Sequence, residues 1–101
     1  MSAPIGIDAP LVGTAAAVET AGSGTMAGTT AGAAAPMSGV VGPGVEDASI
    51  EAALGFAARG AETSALMAQL TTVRALFAAT MASSGLAYTA TDALNEAALS
   101  I

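Results

Sequence analysis

The sequence predicts an all-α chain: two helices of unequal length that run antiparallel as a hairpin. Three observations carry this. The strongest breaker run, Pro36-Met37-Ser38-Gly39-Val40-Val41-Gly42-Pro43-Gly44-Val45, separates two stretches that read as helical. From Glu46 onward there is no proline, and only Gly55, Gly60 and Gly85 interrupt a run of good helix formers. Leu66, Leu70, Val73, Phe77 and Met81 then recur at helical spacing, with Tyr88 seven residues further on. The expected organisation is a leader over residues 1–9, a hairpin over 10–96 and a short tail over 97–101. Within the hairpin, helix one covers about 10–35, a loop 36–45, and helix two starts near 46. The Ser83-Ser84-Gly85 stretch either ends helix two near 84 or is a weak turn within a helix reaching about 97.

Pro10 suits the first turn of helix one, where a missing N–H does no harm. Leu11, Ala15, Val18, Gly22, Thr25 and Thr29 follow at alternating spacings of four and three, a narrow seam of mostly small residues. Five interior glycines, Gly13, Gly22, Gly24, Gly28 and Gly32, cost roughly 1 kcal/mol each against alanine. Their sum, about 5 kcal/mol, matches the low end of a small domain's stability of about 5–15 kcal/mol. Propensity alone does not make this helix; packing must. Gly24, Gly28 and Gly32 share one face, which fits a close contact with another helix in solution, a membrane contact, or the chance product of an Ala/Gly-rich composition.

Helix two begins in Glu46-Asp47-Ala48-Ser49, where Asp47 or Ser49 can cap free N–H groups. Glu46, Asp47 and Glu51 favour the positive end of the helix dipole. Ile50, Leu54, Ala57 and Ala61 begin a heptad-like seam that the Leu66–Met81 stripe extends. Its bulky residues outnumber anything helix one offers. A helix pair with an unmatched apolar face completes a bundle with another chain, so the hairpin is expected to form a four-helix bundle with a partner. The residues expected to meet that partner are Leu11, Ala15, Val18 and Gly22 on helix one. On helix two they are Leu54, Leu66, Leu70, Val73, Phe77 and Met81.

Composition narrows the chemistry. The 101 residues include no cysteine, histidine, tryptophan or lysine, and eight carboxylates oppose only Arg59 and Arg74, for a net charge of −6. Disulfide frameworks, zinc fingers, Cys–His and Ser–His–Asp catalysis and Schiff-base lysines are thereby removed. Nucleic acid is not an expected partner, because phosphate binding needs clustered Lys and Arg. Mean hydropathy is high, +0.68, but 28 residues are alanine, which raises hydropathy while burying little area. A chain this short buries only a little over ~60% of its unfolded surface and looks marginal alone. Met1-Ser2-Ala3-Pro4-Ile5-Gly6-Ile7-Asp8 lacks the basic and bulky apolar regions of a signal peptide. The uncharged run from Thr20 to Val45 contains prolines and many Gly, Ser and Thr, so membrane insertion is not expected.

Asp47 with Glu51, and Asp92 with Glu96, are four apart and can share a helix face, but no histidine or third oxygen cluster joins them. They read as solvated helix charges. No catalytic residue, cofactor or metal is expected. Arg59 and Arg74 lie roughly on one helix face and either meet acidic groups on a partner or aid solubility; Met26, Met37, Met67 and Met81 read as gap-fillers. Tyr88 and Asp92 project together from a helix and form a compact patch that another protein can read.

Taken together, Ala33-Ala34-Ala35-Pro36-Met37-Ser38-Gly39-Val40-Val41, Gly44-Val45-Glu46-Asp47-Ala48-Ser49 and Gly85-x-x-Tyr88-x-x-x-Asp92 resemble the PE domain of mycobacteria and related actinobacteria. The resemblance covers roughly residues 8–96; the family's Pro-Glu near the N-terminus is Pro10-Leu11 here. It implies a hairpin that pairs with a PPE-type protein as a heterodimer and is exported by a type VII (ESX) secretion system. Tyr88 and Asp92 would be the secretion signal, and the destination outside the cell or in its envelope. A second reading is a small exported helical homodimer of the WxG type, although the chain has no tryptophan for the Trp-x-Gly turn. A third, a membrane-active peptide, is opposed by the acidic charge.

Overall fold

A computed structural model describes residues 6–100. Two α-helices and no strand occur among them: α1, Ala9–Ser38, and α2, Asp47–Leu99, joined by a loop over 39–46 as a helical hairpin. Most of the expected leader, and the last residue of the expected tail, lie outside the described residues. The paired helices form two compact units: residues up to Gly22 with those from Arg74 onward, and Ser23–Val73.

α1 is capped by Asp8, whose carboxylate accepts from the Leu11 N–H at 3.2 Å and whose carbonyl accepts from the Val12 N–H at 3.1 Å. The helix runs through Pro36 to Ser38, beyond the end expected near 35. A proline there removes one backbone hydrogen bond and crowds the Gly32 carbonyl, yet the turn still closes, with the Gly39 N–H donating to the Ala35 carbonyl at 2.8 Å. α2 starts after Glu46, whose carbonyl accepts from the Ile50 N–H at 3.1 Å. Ser49, one of two expected caps, instead donates its hydroxyl to the Glu46 carboxylate. That bond, with one from Glu46's own backbone, holds the Glu46 carboxyl below its ordinary range. At its far end α2 continues through Ser83-Ser84-Gly85 to Leu99. Gly85 marks a close approach rather than a turn: a Cβ there would lie 3.4 Å from Val12 Cγ1 and 3.5 Å from the Ala9 carbonyl oxygen.

On each helix the covered residues recur at alternating spacings of three and four, the seam of an antiparallel coiled pair. On α1 they include Ala9, Val12, Ala16, Glu19, Ser23, Met26, Thr30, Ala33 and Met37; on α2, Ala53, Ala57, Gly60, Ser64, Met67, Thr71, Arg74, Ala78, Met81 and Gly85. Small side chains let helix axes approach but bury little apolar area. The buried hydrophobic residues are Ala16 and Ala78, and no large side chain is fully buried among the described residues. Hydroxyls along both helices turn inward on their own backbone. Thr14, Thr20, Thr30, Ser38, Thr63, Thr71, Thr72, Thr80, Ser84 and Thr89 each donate to the carbonyl four residues earlier.

Candidate partner-binding surface

The surface is defined by what the seams leave uncovered. In the unit formed by residues up to Gly22 and those from Arg74 onward, Arg74 Nε donates to Glu19 Oε2 at 2.8 Å across the seam, with both side chains about one-third exposed. The guanidinium occupies space that a side chain on Gly22 would fill: a Cβ there would stand 2.3 Å from Nη2 and 2.4 Å from Cζ. In the unit formed by Ser23–Val73, the buried Ser23 hydroxyl donates to the Thr71 carbonyl at 3.1 Å. Gly60 lies so close to Met37 that a Cβ would meet its carbonyl oxygen at 2.0 Å. Arg59 pairs within its own helix, with Glu62 at 2.8 Å, and both are exposed.

The bulky stripe of α2 lies one position to the side of the seam. Leu66 and Leu70 precede Met67 and Thr71, Val73 precedes Arg74, and Phe77 precedes Ala78. All four are exposed, as are Leu54 and, on α1, Leu11 and Val18. Ala15, Gly22 and Met81, placed by the sequence with these residues, are half-covered within the hairpin. The structure adds Phe56, Leu76 and Leu86, all exposed. Sequence periodicity passed over them because they fall beside the one stripe with helical spacing. Every leucine, both phenylalanines and the tyrosine are exposed. Gly24, Gly28 and Gly32 also face outward, with nothing within 4 Å of a Cβ at any of them.

Tyr88 and Asp92 both stand on α2 and are exposed. They open onto different recesses of the same unit. Tyr88 lines a shallow one with Ser84, Ala87 and Thr91, and Asp92 a wider one with Asp8, Pro10, Thr89 and Glu96. No group of three or more carboxylates among the described residues is placed to hold a metal ion. By length and composition, α2 is apolar enough to cross a membrane, with a mean hydropathy of 1.3 over 18 residues. A helix that presents leucine and phenylalanine to a protein partner meets the same criterion.

The PE family model matches residues 7–95. The chain is 38% identical over 90 residues to the PE family protein PE13 of Mycobacterium tuberculosis (strain ATCC 25618 / H37Rv), covering 89% of this chain and 90% of that protein. No solved structure matches the chain.

Proposed function

The chain belongs to the PE family, and from that premise we propose that it is a non-catalytic subunit that pairs with a PPE-type protein. In this reading the two hairpins form a four-helix bundle, and the pair is exported by a type VII (ESX) secretion system to the cell surface or beyond. Tyr88 and Asp92 act as the export signal. The observation that carries the pairing is the mismatch between seam and surface: among the described residues the only apolar side chains buried are Ala16 and Ala78, while all leucines and both phenylalanines are exposed. Each such side chain, fully buried, stabilises by about 1.5–3 kcal/mol. Covering the row Leu66, Leu70, Val73 and Phe77 with a second hairpin supplies the core that this chain lacks.

Co-expression with a PPE-type protein, followed by size-exclusion chromatography with light scattering, tests the pairing. A one-to-one complex is expected. A stable helical homodimer that ignores the PPE-type protein would sink it. For the signal, Tyr88→Ala should abolish export into the culture supernatant while the intracellular pair persists; undiminished export would refute the assignment.

A further inference from the structure

Independently of what covers the outer face, the seam contains its own device. Its residues fall into rows seven apart. One row on α2 reads Ala53, Gly60, Met67, Arg74, Met81, and one on α1 reads Val12, Glu19, Met26, Ala33. Arg74 stands where the neighbouring heptads carry methionine, and Glu19 where they carry valine and methionine. Each is the one charge in its row.

A seam of alanine, serine, threonine, glycine and methionine has a close competitor. Sliding one helix by seven residues, about 10.5 Å, again sets small side chains against small side chains. The loop does not prevent this. Its residues 39–46 reach about 26–29 Å when extended, whereas packed helix axes stand only about 8–10 Å apart. The ion pair does prevent it. A slip in either direction sets Glu19 against Met67 or Met81 and carries the guanidinium away from the space above Gly22. The Glu19–Arg74 pair would be broken, with each half-covered charge set against an apolar side chain.

We infer that Glu19, Gly22 and Arg74 form a register lock, which selects one alignment of the hairpin over its seven-residue slips. A polar group at a seam position specifies alignment at a cost in stability, and a partly buried ion pair adds little stability over well-packed apolar residues. The lock therefore acts on uniqueness rather than on melting temperature. Its consequence is positional: register decides which part of the N-terminal stretch lies beside Thr89 and Asp92, now residues 6–8 and the first turn of α1.

The chain has no native cysteine, so engineered pairs report alignment cleanly. In V12C/G85C the Cβ atoms would be 3.6 Å apart, within the disulfide range of about 3.5–4.5 Å. V12C/A78C and V12C/D92C report slips of seven residues in either direction. Each pair is oxidised in the full-length chain and the intramolecular crosslink is quantified on non-reducing gels, with circular dichroism melts alongside. The native pair should crosslink at least about tenfold faster than either slip reporter. In the E19M/R74M background a slip reporter should gain about tenfold while the melting temperature holds or rises. Gly22→Ala, whose methyl displaces the guanidinium, should shift crosslinking the same way while raising helicity. Three results would overturn the lock. One is no native crosslink in the parent. Another is an unchanged preference in E19M/R74M, which would assign register to contacts such as Gly60 on Met37. The third is loss of helicity in E19M/R74M, which would make the pair a stabiliser.

Discussion

Truncating Phe77 to alanine should weaken partner binding while leaving the hairpin largely intact. Phe77 is 55% exposed, beside the seam rather than in it. Burial of a whole phenylalanine side chain contributes about 1.5–3 kcal/mol, so covering the exposed 55% contributes about 0.8–1.7 kcal/mol. At about 1.4 kcal/mol per tenfold, Kd should rise about 4- to 16-fold. Leu70 is 59% exposed, and the same arithmetic gives about 0.9–1.8 kcal/mol. The two positions are seven residues apart on one helix, about 10.5 Å, where contributions approach additivity. L70A/F77A should then lose about 1.7–3.4 kcal/mol, roughly 20- to 300-fold in Kd. Calorimetric titration against the PPE-type partner reads this directly, with Gln69→Ala, an exposed polar position on the same helix, as the control. If L70A/F77A binds within about twofold of the parent, the exposed row is not the interface and the pairing argument built on it fails.

Further outcomes follow from particular residues. Gly60→Ala should lower the melting temperature, because the new methyl meets the Met37 carbonyl oxygen and overpacking costs about 1–3 kcal/mol. Gly55→Ala, with open space around it, should raise the melting temperature, since it gains up to about 1 kcal/mol of helix propensity. Parallel melts that move in the same direction would contradict this. Replacing Gly24, Gly28 and Gly32 together with alanine should raise the helicity of the isolated chain, since each Cβ meets nothing within 4 Å. A simultaneous drop in PPE binding would identify the glycine row as a contact face. Glu46 gives a pH dependence. Its carboxyl is held low by the Ser49 hydroxyl, so its stabilising contribution is present above its ordinary value of 4.5 and is lost as pH falls through the lower folded value. Glu46→Gln should therefore melt below the parent at neutral pH, and the two curves should converge under acid. A gap that persists in acid would refute the assignment.

Much of this architecture was legible in the residues, and the parts that were not share a cause. The two helices and their break follow from glycine, proline and the spacing of Leu66, Leu70, Val73 and Phe77, strong signals in any chain. The seam itself did not stand out, because apolar periodicity searches for bulk. Here Ala16, Ser23, Ala78 and Gly85 do the packing, while the leucines stand one position aside. That offset also explains the arginines: Arg74 faces Glu19 of its own chain, a pairing that needs the fold and leaves no trace in local sequence. Pro36 and Gly85 look like stops in a linear reading. In the structure one is absorbed near the end of a helix whose later amides still close. The other is the small residue that a neighbouring helix requires. Of the export patch, the helical placement of Tyr88 and Asp92 was readable from their spacing, whereas their opening onto separate recesses depends on where Asp8 and Pro10 come to lie.

The inward-turned hydroxyls change what the outside of this molecule is made of. A threonine on a helix surface ordinarily brings a proton donor that must be stripped of water before a neighbour can lie on it. Here Thr14, Thr63, Thr72 and Thr80 have already given that proton to their own backbone, so what each presents outward is chiefly a methyl group. In wetting terms the surface is drier than its composition suggests. At these four positions a helix laid across it would meet hydroxyls whose protons are already engaged.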